Sequence, residues 1–185
     1  MKKQKKRFHW LADLVRENNY TIGAEIGVAN GITSHRLLRW CPGLTLICVD
    51  KWEKVQAGPE GGDIGDQPGC ENWDPVRGWE RFQRGIVPFK KRVRVLRGDS
   101  VEMAEQVKDN SLDFVFIDAD HRYPAVKADI QAWTPKLKPG GTLCGHDLNH
   151  PRCPGVLKAL QELVPNFVET GINHVWTAKK EDYVG

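Results

Sequence analysis

No stretch of the 185 residues is long and apolar enough to span a bilayer, which argues against a helical membrane protein and against a membrane partner. No secretory leader is expected: after a basic start, FHWLADLVRENN is amphipathic, where a leader carries an unbroken apolar core. The five cysteines are odd in number and scattered, which argues against a disulfide scaffold and favours reduced thiols in the cytoplasm. Two phosphate-binding signatures are missing as well. The Gly-Lys-Ser/Thr ending of a P-loop is absent. A dinucleotide fingerprint aligned on Gly27 would place Ala29 and Ile32 where its second and third glycines belong.

What is present is an ordinary globular composition, 40% apolar and 28% charged, at a length that suits one domain over 1–185. Lys2, Lys3, Lys5, Lys6 and Arg7 put five positive charges in the first seven residues, and taking these from the net +3 leaves the remainder at −2. Residues 1–7 read as a solvated basic tail; so short a run does not establish a nucleic-acid arm, and nucleic acid is not the expected partner. Lys90, Lys91, Arg92, Arg94 and Arg97 form a second basic cluster, which reads as a solvated face beside a strand.

Apolar spacing predicts a helix over Phe8–Asn19, then strand and helix in turn. The strands are TIGAEIGV, LTLICVD, RVRVLRGDS, LDFVFIDAD and TLCGHD, followed by FVETG and HVWTAKK. The helices between them are ITSHRLLRW, PVRGWERFQRGI, VEMAEQV, PAVKADIQAWTPKL (closed by KPGG) and GVLKALQELV. Such alternation predicts a parallel sheet covered on both faces, with ligands at the carboxyl ends of its strands. Those ends carry Glu25, Asp50, Asp99, Asp118 and Asp147. Five acidic ends are too many for a pyrophosphate site without metal; they suit a ligand rich in hydroxyls and positive charge.

The turn EIGVANG sharpens this. Gly27 allows close backbone approach, and Gly31 opens a helix whose free N–H groups can face a carboxylate. Glu25 can meet an ammonium or sulfonium, and Asp50 can accept from both hydroxyls of a ribose. An amino acid joined to a nucleoside through a positive sulfur, S-adenosylmethionine, meets all three conditions.

From Thr21 to Asp147 the chain resembles the class I S-adenosylmethionine-dependent methyltransferases, with EIGVANG, CVDKW, LRGDS and DFVFIDADHRY as their successive motifs. The resemblance implies an α/β, Rossmann-like three-layer α/β/α sandwich. Its sheet would be mostly parallel and seven-stranded, with an antiparallel last strand. It places Asp99 and Ser100 near the adenine. The fourth motif is similar to a branch that includes metal-dependent O-methyltransferases of macrolide sugars and a cephalosporin hydroxylase-like group. That branch implies a divalent ion, Mg²⁺ or Mn²⁺, on Asp118 and Asp147. A third position, usually acidic, is His146 here; imidazole favours Mn²⁺, Fe²⁺ or Zn²⁺ over Mg²⁺. His121 stands where relatives place a base, and its ordinary pKa of about 6.5 suits that task. Asp120 reads as a capping or solvent-facing carboxylate.

Methylation of a hydroxyl on a small molecule or sugar is the reading that follows. A binding protein without turnover and a metal-dependent hydroxylase-like enzyme are the alternatives. The Asn/Asp-Pro-Pro-Tyr/Phe signature of amino-group methylases is absent. A zinc site on Cys144, His146, His150 and Cys153 matches no common module. Residues 54–75 read as a lid or substrate loop, with Trp52, Trp73, Trp79 and Phe82 either stacking on an acceptor or packing the loop. Self-association is left open.

Overall fold

A computed structural model describes residues 5–54 and 73–185. Most of the proposed loop, and the start of the basic tail, lie outside the described residues. The elements are α1 (Arg7–Glu17), β1 (Ile22–Ile26), α2 (Ile32–Trp40), β2 (Thr45–Asp50), α3 (Pro75–Ile86), β3 (Val93–Arg97) and α4 (Ser100–Ala104). They continue with β4 (Leu112–Ile117), α5 (Tyr123–Trp133), β5 (Leu137–Gly145), α6 (Pro154–Leu163), β6 (Val168–Glu169) and β7 (Trp176–Lys179). The sheet runs β3-β2-β1-β4-β5-β7-β6. β3, β2, β1, β4 and β5 pair in parallel; β7 runs antiparallel to both β5 and β6.

Strands β2 and β4 are nearly continuous apolar runs because both sheet faces are covered. On one face Leu46, Cys48, Phe114 and Phe116 pack against Leu11 and Val15 of α1, Leu37 and Leu38 of α2, and Phe82 of α3. On the other, Ile26, Val49, Val115 and Leu143 pack against Ala104 of α4, Ile130 and Trp133 of α5, and Leu160 of α6.

Local signals set the helix ends. The Asp74 carboxylate accepts from Val76 and Arg77 N–H at 3.0 and 3.1 Å, and Pro75 follows as first helical residue. The Arg92 guanidinium donates to the carbonyls of Leu38, Cys41 and Leu44. That part of the second basic cluster closes the end of α2 rather than forming a solvated face. Other details also differ from what the sequence predicts. KPGG lies inside β5, where Gly140 takes φ +73° and the register against β4 shifts. α1 begins at Arg7 rather than Phe8, and this matters for the site.

Candidate active site

The parallel ladder carries past the strand ends and aligns the acidic residues. Gly98 N–H donates to Asp50 O, Gly27 N–H to Val49 O, Asp118 N–H to Ile26 O, and His146 N–H to Ile117 O, at 2.8–3.1 Å. Neighbouring strands therefore end in register, and their last side chains meet over one edge of the sheet. A cavity of about 580 Å³ lies there, bordered by Glu25, Gly27, Asp50, Asp99, Ser100, Asp118 and His121. Small-molecule sites usually span about 300–1,000 Å³.

The glycine turn is shaped by close contact. Gly27 sits at φ +88°, and a Cβ on it would lie 2.1 Å from the Asp118 carbonyl oxygen. Gly31 sits at φ +76°, and a Cβ would meet the Phe82 ring at 2.7 Å. Its own N–H is spent on the Val28 carbonyl at 2.9 Å. Asp50 accepts from Ala29 N–H and Trp52 N–H, each at 2.7 Å, one on each carboxylate oxygen. Trp52 Nε1 in turn donates to the Ala29 carbonyl at 2.7 Å. Ala29 (φ 50°), Trp52 (φ 48°) and Asp147 (φ 60°) all adopt left-handed backbone, rare outside glycine and frequent at functional sites.

Glu25 is buried and accepts a hydrogen bond from Ser34 Oγ. Burial pushes its carboxyl up to about 8, against the opposing pull of Ser34. Asp99 caps α4 and pairs with Lys51 Nζ at 2.7 Å, which holds its pKa below the usual value despite partial burial. The Ser100 hydroxyl donates to Asp129, a buried carboxylate on α5, and accepts from Trp133 Nε1 at 3.3 Å. Burial raises Asp129 to about 7. Asp129 borders the cavity and was not singled out from the sequence.

Asp118, His121, His146 and Asp147 come together. His121 Nε2 and His146 Nδ1 lie 2.8 and 2.9 Å from the same oxygen of Asp147. They lie 3.9 and 3.5 Å from Asp118 Oδ1. Burial alone would lower both imidazoles; the carboxylates of Asp118 and Asp147 outweigh it, pushing His121 up to about 12 and His146 to about 9. Burial alone would raise the two acids. His121 and His146 outweigh it at Asp147, and Arg7 with the same histidines at Asp118, so both end below the ordinary value. His121 is thus an imidazolium at neutral pH, not the neutral base its ordinary pKa suggested.

Asp118, His146 and Asp147 present ligand atoms within 4.8 Å of one another, and His121, Asp147 and Cys153 form a second such group. The four-residue zinc arrangement does not assemble: Cys144 is buried in the opposite core cluster with its thiol on the Val115 carbonyl. Asp120 is held by Arg122, whose N–H and Nε donate to it at 2.9–3.0 Å, as a capping carboxylate would be. Trp52 and Phe82 are buried and stack on each other with centroids 5.0 Å apart, so they support the glycine turn.

Residues 24–148 match a family model described as a methyltransferase domain, and the chain belongs to that family. Its fold and family define a class I, S-adenosylmethionine-dependent methyltransferase. Among solved structures it is similar to the O-methyltransferase NovP, with 19% identity, TM-score 0.69, and coverage of 93% of this chain and 77% of that one. An O-methyltransferase from Bacillus cereus in complex with SAH is 18% identical with TM-score 0.61, covering 92% of this chain and 78% of that one. A methyltransferase from Geobacter sulfurreducens is 16% identical with TM-score 0.61, covering 93% and 76%. In sequence the chain is 39% identical over 54 residues to the uncharacterized protein y4gI of Sinorhizobium fredii (strain NBRC 101917 / NGR234). That match spans 29% of this chain and 6% of that protein. Among the described residues no helix is long and apolar enough to cross a membrane.

Proposed function

We propose that this chain methylates a hydroxyl oxygen of a small molecule or sugar, using S-adenosylmethionine held at the Gly27 turn. The observation that carries the reading is a single cavity bordered both by that turn with Asp50 and by Asp118 and His121. A cofactor pocket and a cluster able to move protons share one space. The separate thiols of Cys41, Cys48, Cys144 and Cys153 support a reducing compartment such as the cytoplasm.

When bound, S-adenosylmethionine supplies a methyl group on positive sulfur. The chain's residues position the rest. Asp50, fixed by two N–H donors, keeps lone pairs for the two ribose hydroxyls. Glu25, half-neutralised by burial near pH 8, gains its charge beside the methionyl ammonium. A hydroxyl must shed its proton as the carbon–oxygen bond forms and the methyl carbon–sulfur bond breaks, with S-adenosylhomocysteine as the leaving group. His121 and Asp118 border the cavity at that end, and Nε2 of His121 takes the proton in molecules where it is vacant. Because Asp118 and Asp147 hold a proton there at neutral pH, turnover rises with pH above neutrality.

The donor set Asp118, His146 and Asp147 fits a divalent ion, with Nδ1 the nitrogen of His146 that faces both carboxylates. An ion there supplies a Lewis acid that acidifies a hydroxyl. Two carboxylates and an imidazole suit Mn²⁺ better than Mg²⁺.

The test is transfer of labelled methyl from S-adenosylmethionine to a panel of sugar, catechol and macrolide hydroxyls between pH 6 and 10. The reading predicts label on oxygen, a rate still rising above pH 7, and a loss of about 100-fold or more in His121→Gln. Tight S-adenosylhomocysteine binding with no transfer to any acceptor would leave the binding-only alternative.

A further inference from the structure

Arg7 belongs to a run of charges that reads as a tail, yet it opens α1, with its backbone N–H on Asn173 Oδ1 at 3.3 Å. Its side chain borders the cavity. Nε lies 3.1 Å from Asp118 Oδ2, the side chains being 33% and 11% exposed. That Nε is buried and makes no hydrogen bond, so the contact is one of charge rather than a directed bond. The two oxygens of Asp118 are thereby divided: Oδ1 faces the histidines and Oδ2 faces the guanidinium.

We infer that Arg7 is the built-in counter-cation of Asp118, a positioning residue whose fixed charge competes with a divalent ion for this carboxylate. The inference rests on the metal reading of Asp118, His146 and Asp147. An arginine does not lose its charge in a protein, so it can yield the carboxylate only by moving away. A dication on Oδ1 shares one carboxylate with the fixed positive charge on Oδ2, and at that range repulsion is strong in a buried setting. Metal occupancy and the Arg7–Asp118 contact therefore compete, and each weakens the other by the same factor.

The test is Mn²⁺ binding to the cofactor-free chain, followed by calorimetry and by the electron paramagnetic resonance of free Mn²⁺. Parent, Arg7→Gln, Arg7→Lys and Asp118→Asn are compared. Arg7→Gln should bind Mn²⁺ about tenfold tighter than the parent or better, and Arg7→Lys should stay within about threefold of it. Asp118→Asn should lose binding. Equal affinity in parent and Arg7→Gln, whether both tight or both absent, overturns the inference. If Arg7→Gln fails to fold, hydrogen exchange on the parent decides. Saturating Mn²⁺ should speed exchange in the first turn of α1, and unchanged exchange with Mn²⁺ bound contradicts the proposal. S-adenosylhomocysteine binding, measured on the same samples, separates this from failure of the methyltransferase reading. It should be present in the parent whatever the metal does.

Discussion

Gly27→Ala puts the geometry of the glycine turn to a quantitative test. The new Cβ would sit 2.1 Å from the carbonyl oxygen of Asp118. An ordinary carbon–oxygen contact is about 3.3 Å, so the tips of β1 and β4 would have to part by roughly 1 Å. They are tied by the Asp118 N–H bond to the Ile26 carbonyl at 2.8 Å, and close-packed backbone resists such a shift at a cost of about 1–3 kcal/mol. The backbone at φ +88° adds about 1–2 kcal/mol for a residue with a Cβ. Together these give a destabilisation of about 2–5 kcal/mol, read from urea unfolding at constant m-value. Any folded Gly27→Ala should also bind S-adenosylhomocysteine at least about tenfold more weakly, because Asp118 and the turn move together. A loss under about 0.5 kcal/mol with unchanged affinity would refute the argument that the turn must be glycine.

Two further outcomes follow from buried charge. Asp129 is nearly inaccessible and raised to about 7, so the parent's stability is fullest below the unfolded carboxyl pKa and falls as pH rises through about 7. Asp129→Asn lacks that fall, and its stability relative to the parent should improve by about 2 kcal/mol between pH 5 and pH 8; no pH-dependent difference would contradict the burial argument. His146 is raised to about 9, so its contribution is complete below about pH 6.5 and lost as pH rises through about 9. His146→Gln should accordingly narrow the stability difference between pH 6 and pH 10, measured by thermal unfolding, and an unaltered difference would show that the histidine carries no such pairing.

Local pattern made much of the fold legible. ITSHRLLRW and PVRGWERFQRGI form helices with those same bounds, Ile32–Trp40 and Pro75–Ile86, because apolar period and Pro or Gly starts agree there. The acidic strand ends were legible for a topological reason: parallel strands deliver their last residues to one edge. What stayed hidden depends on residues distant in sequence. Ser100 meets Asp129, Arg7 meets Asp118, and the charged form of His121 is stabilised by Asp147. No periodicity or spacing reports those meetings. The left-handed Trp52, whose indole locks the glycine turn from the next strand, had no local signal either.

The most direct test is calorimetric titration of S-adenosylhomocysteine into the parent and into Asp50→Ala. The two N–H groups that fix Asp50 leave its charge for the ribose, and a pair of charge-assisted hydrogen bonds accounts for an expected loss of about 10- to 100-fold. Micromolar binding by the parent, weakened by that factor in Asp50→Ala, is the predicted result. Binding equal in the two proteins, or none in the parent, would contradict the claim that this turn and this strand end form the cofactor site.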